Sequence, residues 1–135
     1  MSPVKRITHA VYDLKYHFVL VPKYRKTILA EKIAKRVEEI FREIAEVYEF
    51  EIETMAVVED HVHIFLSTPP KYAPGEIVRI LKSRSAKGVF KGFSEVREEF
   101  WSDGYFVRSV GDEITAEVIT RYIEYHNSKQ LVFDF

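Results

Sequence analysis

FEIETMAVVEDHVHIFLS, residues Phe50–Ser67, is the stretch that decides the fold. Phe50 to Val58 is rich in β-formers, Glu59-Asp60 reads as a tight turn, and His61 to Ser67 returns as a second strand. A short turn between two such runs predicts an antiparallel hairpin. Thr68-Pro69-Pro70 ends it. Strand alternation puts His61 and His63 on one face, and Val62, Ile64 and Leu66 on the other.

The rest of the chain arranges itself around this hairpin. Upstream, Ile33, Val37, Ile40, Phe41, Ile44 and Tyr48 recur at steps of three and four, which predicts an amphipathic helix from Ala30 to Tyr48. Before it, Val11 to Val21 alternates, with Tyr12, Leu14, Tyr16, Phe18 and Leu20 on one face, and Pro22 ends this strand. A basic turn follows, Lys23-Tyr24-Arg25-Lys26. Downstream, Pro74 opens a second helix through Ile77, Leu81, Ser85 and Val89, with Gly92 expected just beyond its end. A loop from Phe93 to Asp103 holds Trp101 and leads to a fourth strand, Tyr105 to Val110, broken by Gly111-Asp112. A third helix is expected over Glu113 to Ser128, capped by Asp112 or Thr115. The order is β-α-β-β-α-β-α. It predicts an α+β fold, a ferredoxin-like or RRM-like antiparallel sheet with helices packed on it, in a single domain spanning residues 1–135.

Composition narrows the function. With 47% hydrophobic residues the chain can build a core, and with no cysteine it can form neither disulfides nor thiolate metal sites. No apolar leader or membrane span is visible, so a soluble cytoplasmic protein with no membrane partner is expected. The net charge of −1 conceals segregation: residues 1–36 carry 9 Lys/Arg against 2 Asp/Glu, whereas residues 37–60 carry 1 against 9. A basic surface is therefore compatible with a neutral total.

Chemistry concentrates in two places. Cα atoms two apart on a strand lie roughly 6.5–7 Å apart, so His61 and His63 form a rigid half-site for a metal ion. The same spacing also suits two hydrogen-bonded histidines at a strand end. In the third helix Tyr122 and His126 are four residues apart and share a face, offering a nucleophile and a third ligand. Taken alone, such a pair is more often ordinary packing, a core-facing tyrosine and a surface histidine near a helix end. As a set, the four residues suit phosphodiester cleavage. A phenol with a pKa of about 10 needs activation at neutral pH, and a divalent cation polarises phosphate and favours phenolate. Imidazole ligands with open oxygen positions suit Mn2+ and tolerate Mg2+, though Zn2+ also fits.

His61-Val62-His63 matches the His-hydrophobic-His motif of the HUH endonucleases, and Tyr122-Ile123-Glu124-Tyr125-His126 resembles the single-tyrosine helix of the IS200/IS605 transposases. His17 to Lys26 resembles that family's first strand and basic turn, and Trp101 to Gly111 resembles the segment before its tyrosine helix. The resemblance implies Tyr122 as catalytic nucleophile, with His61, His63 and His126 holding Mg2+ or Mn2+. It implies cleavage and rejoining of single-stranded DNA at hairpin ends through a 5′-phosphotyrosine. It further implies a homodimer whose active sites combine the histidines of one subunit with the tyrosine helix of the other. At one position the chain departs from the family: His126 stands where glutamine is usual, which bears on metal preference. Tyr125 lies about 300° round the helix from Tyr122, so only one of the two phenols faces the metal, and the match favours Tyr122.

Candidate DNA contacts are Lys23, Tyr24, Arg25 and Lys26 in the basic turn, Arg79, Lys82, Arg84, Lys87 and Lys91 on the second helix, and Arg108 on the fourth strand. Tyr24 and Phe106 offer rings for unpaired bases. Two other readings compete. One is a metal-dependent nuclease in which water attacks. The other is a non-catalytic RRM-like module, which predicts exposed aromatics on the central strands.

Overall fold

A computed structural model describes residues 4–23, 31–58, 60–93, 100–111 and 121. The elements are β1 (Lys5–Ile7), β2 (Ala10–Tyr12), β3 (Lys15–Leu20), α1 (Glu31–Tyr48), β4 (Glu51–Val58), β5 (His61–Ser67), α2 (Pro74–Gly92) and β6 (Phe106–Val110). β3 to β6 form one antiparallel four-stranded sheet in the order β4-β5-β3-β6. This is the ferredoxin-like layout that the element order predicts. The third helix, expected over residues 113–128, lies outside the described residues apart from Arg121, which is helical.

α1 and α2 lie on the same face of the sheet because that face is the apolar one. Phe18, Leu20, Val62, Ile64 and Leu66 meet Val37, Ile40, Phe41 and Ile44 of α1 and Ile77, Val78, Leu81 and Val89 of α2 in one core. Gly88 lets α1 and α2 approach closely, since a Cβ there would stand 2.4 Å from Ile40 Cδ1. α1 ends at Glu49, a non-glycine residue with φ of 60°. Behind it the Phe50 amide donates to the Ala45 carbonyl at 2.9 Å, satisfying one of the carbonyls left over at the helix end.

The structure differs from the sequence reading at three places. The run from Val11 to Val21 is not one strand. It breaks at Asp13-Leu14, and β2 folds back on β1 in a small two-stranded hairpin, Ile7 opposite Ala10. Three-residue strands carry too little alternation to announce themselves. A Lys5–Glu51 ion pair ties this hairpin to β4. Gly92 is the last residue of α2 instead of lying past it, and the Phe93 amide donates to the Val89 carbonyl at 2.8 Å. Trp101, in the loop as expected, is also tied into the core, which the sequence did not indicate. It bridges to Pro22, its indole N–H donates to Ser85 Oγ at 2.8 Å, and its ring stacks on Phe41 at 6.1 Å.

Candidate active site

The sheet face turned away from α1 and α2 carries the histidines. β5 contributes His61, His63 and Phe65, and its register sets Val19 opposite His63 and His17 opposite Phe65. On β6, Phe106 lies opposite Val19 and Arg108 opposite His17. On β4, Ala56 lies opposite His63 and Val58 opposite His61. His61 and His63 sit on one face, as alternation requires, with ring centroids 4.8 Å apart and planes at 83°. They are 1% and 0% exposed, and His17 is 2% exposed.

Three rings and a carboxylate are linked. His61 Nδ1 stands 2.6 Å from Asp60 Oδ1. An ionised carboxylate only accepts, so His61 donates from Nδ1, and in the neutral ring the lone pair is then on Nε2. His63 Nδ1 lies 3.0 Å from His17 Nε2, and the two rings are near-coplanar, planes at 22° and centroids 5.2 Å apart. The edge of Phe106 closes on His17 at 6.1 Å. A histidine whose Nδ1–H is held by an outer partner and whose Nε2 is turned inward is the arrangement that metal-ligating imidazoles adopt. The donor chemistry of His61 and His63 thus fits a borderline divalent cation. Among the described residues no group of three or more His, Cys, Asp or Glu is arranged to hold a metal ion. The expected third ligand, His126, and the expected nucleophile, Tyr122, lie outside the described residues.

The basic candidates divide between the two faces. Arg108 is exposed and sits on the histidine face, opposite His17. Arg79, Arg84, Lys87 and Lys91 are exposed on α2, on the other side of the sheet. The guanidinium of Arg84 lies 5.1 Å above the Tyr48 ring, covering an aromatic face of α1. Lys82 is half-buried, and its ammonium donates to the carbonyls of Ser102, Asp103 and Gly104 at 2.6, 3.2 and 3.0 Å. Burial pushes it below the ordinary lysine value, partly opposed by the Asp103 carboxylate. Lys82 therefore clamps the loop before β6. Lys23 is exposed just past β3, with its amide donating to the Phe100 carbonyl at 2.9 Å. Tyr24, Arg25 and Lys26 lie outside the described residues.

His17 and Asp60 did not stand out as site residues in the sequence. Asp60 had a usable signal, an acid immediately before a candidate ligand. His17 had only its place on the polar side of β3, and it becomes meaningful once the strand register is known.

Comparison with known proteins settles the family. The family model for IS200-like transposases matches residues 10–126. The chain belongs to the IS200-like transposase family. The transposase is 34% identical over 125 residues to the ISDra2 transposase TnpA of Deinococcus radiodurans, an alignment covering 89% of each chain. It is 30% identical over 116 residues to the IS200 transposase of Salmonella typhimurium, covering 82% of this chain and 76% of that one. Among solved structures it resembles a transposase from Deinococcus radiodurans, with a TM-score of 0.73, 30% identity and coverage of 90% and 96%. A REP-associated tyrosine transposase bound to a REP hairpin shares the fold, with a TM-score of 0.62, 15% identity and coverage of 93% and 70%. Membership makes this a DNA-cleaving enzyme of a mobile element. No helix among the described residues is long and apolar enough to cross a membrane.

Proposed function

We propose that this transposase cuts and rejoins single-stranded DNA at the hairpin-flanked ends of its element, forming a 5′-phosphotyrosine on Tyr122. The observation that carries this reading is the pair of buried imidazoles on β5 with their Nδ1 atoms engaged by Asp60 and His17. Such oriented rings suit ligation, with His61, His63 and His126 holding Mg2+ or Mn2+ between them. The cation, when bound, polarises the scissile phosphate. Tyr122 loses its phenol proton and attacks phosphorus. The P–O3′ bond breaks, and the 3′ oxygen leaves and takes up a proton. Attack by that hydroxyl, or by another 3′ end, reverses the step, so the bond energy is conserved in the protein–DNA link and no ATP is consumed. Family resemblance supports a homodimer in which the tyrosine helix of one subunit serves the histidines of the other. The REP hairpin bound by the neighbouring structure supports a hairpin as the recognised DNA form.

The RRM-like binding module loses ground. It requires exposed rings on the central strands, yet Phe18 and Phe65 of β3 and β5 are fully buried and Tyr16 packs on the helix side of the sheet. The test is incubation with labelled single-stranded DNA from the element's own flanks, with Mn2+ or EDTA, followed by denaturing gels. A metal-dependent covalent adduct lost in both Tyr122→Phe and His63→Ala is the expected result. Cleavage without adduct, retained in Tyr122→Phe, moves the assignment to a water-attacking nuclease.

A further inference from the structure

We propose that His17 is a positioning residue that holds His63 in the Nδ1–H form and so turns its Nε2 lone pair toward the catalytic face. The proposal rests on the reading of His63 as a metal ligand. The two ring nitrogens, His17 Nε2 and His63 Nδ1, are 3.0 Å apart and both rings are buried. One nitrogen must donate and the other accept, so two tautomeric arrangements are available. If His17 donates, the proton of His63 sits on Nε2 and blocks it as a ligand. If His63 donates, Nε2 carries a lone pair. The second arrangement makes His63 match His61, whose Nδ1–H is held by Asp60. The site is thus built symmetrically: each candidate ligand has its own outer acceptor, a carboxylate for one and an imidazole for the other.

Geometry favours a positioning role over simple packing. The rings of His17 and His63 are near-coplanar, with planes at 22° and centroids 5.2 Å apart, and meet edge to edge through the 3.0 Å nitrogen pair, while the Phe106 ring lies steeply inclined to His17 at 6.1 Å. The in-plane hydrogen bond restrains rotation of His63 and fixes which edge faces the site. β3 and β5 are the two central strands, so the spacing of the pair is set by the sheet ladder itself. Loss of an outer partner of this kind weakens metal binding about 10–100-fold.

The test uses the full-length protein with two variants. His17→Phe keeps an aromatic ring at the position and removes the acceptor, and His17→Gln restores an acceptor near the position of Nε2. Nitrogen-15 NMR of the imidazoles in metal-free protein reads the tautomer of His63 directly, and titration with Mn2+ alone, followed by loss of the free-ion paramagnetic signal, reads affinity. The expected result is an Nδ1–H His63 in the wild type, a shift toward Nε2–H in His17→Phe with about 10–100-fold weaker Mn2+ binding, and recovery of both in His17→Gln. An unchanged His63 tautomer in His17→Phe overturns the proposal, as does unchanged Mn2+ affinity alongside a changed tautomer. A wild type that holds no Mn2+ while its His63 tautomer still follows residue 17 overturns the metal reading instead. Thermal unfolding of each variant separates either result from a general loss of structure.

Discussion

Asp60 and His61 are consecutive in the chain and yet joined side chain to side chain, Oδ1 to Nδ1 at 2.6 Å. Neighbours within a strand point to opposite faces. The contact is possible because Asp60 lies in the turn before β5, so its carboxylate swings round to the side that His61 occupies. The first expectation follows from it. Asp60→Ala weakens Mn2+ binding about 10–100-fold, and Asp60→Asn, which keeps an accepting oxygen, recovers much of the loss. Mn2+ titration of the three proteins measures this. Equal affinities would remove Asp60 from any part in the site.

DNA affinity should separate Arg108 from Lys82. Arg108 is exposed on the histidine face, whereas the Lys82 ammonium is committed to three carbonyls. Arg108→Ala is expected to lower the slope of log affinity against log salt by about 1 for single-stranded DNA. Lys82→Ala leaves that slope unchanged and instead lowers stability by about 1–3 kcal/mol, because charged donors to carbonyls are removed. Binding titrations over a salt series, with urea unfolding of both variants, check the pair.

The α1–α2 contact makes a sharper stability test. A methyl at Gly88 meets Ile40 Cδ1 at 2.4 Å, and Ile40→Val deletes that carbon. Gly88→Ala in the wild type therefore sets better helix propensity against overpacking. In the Ile40→Val background the 2.4 Å clash is gone and only a tight 3.2 Å contact with Cγ1 remains, so the same substitution is more favourable there by about 0.5–2 kcal/mol. A double-mutant cycle by denaturant unfolding gives the number. Additive effects would mean that the two helices adjust freely.

Glu49 holds a left-handed conformation that costs an L-residue with a side chain about 1–2 kcal/mol. Glu49→Gly should raise stability by about 0.5–1 kcal/mol, since glycine's extra freedom in the unfolded chain offsets part of the relief. Chemical denaturation measures the gain. A loss would show that the carboxylate contributes more than its backbone strain costs.

β5 was readable in full, from His61 to Ser67, because a seven-residue run rich in β-formers, bounded by the turn at Asp60 and by Thr68-Pro69-Pro70, reads as a strand, and period two then places both histidines on one face. α1 was readable for the same reason at helical period. The hairpin of β1 and β2 was not, since strands so short gain their stability from pairing and not from local pattern. His17 marks the deeper limit. Its neighbours along the chain are Tyr16 and Phe18, and nothing local ties it to His63, 46 positions on. Register between distant strands is a property of the assembled sheet. Tyr122 and His126, where sequence and family resemblance speak most clearly, are the positions on which the described residues are silent.

The sheet works as a partition. The histidines occupy one side of it, while Arg79, Arg84, Lys87 and Lys91 are carried by the helix layer on the other. A polynucleotide that touched both would have to travel round a border strand, and the two borders are unlike. β4 offers Glu53 and the Lys5–Glu51 pair, a route hostile to phosphate. β6 offers Arg108 and the half-exposed ring of Phe106, with Phe106 at 41%. Among the described residues, the β6 border is thus the more hospitable way round from one face to the other, with Phe106 and Arg108 among its exposed side chains.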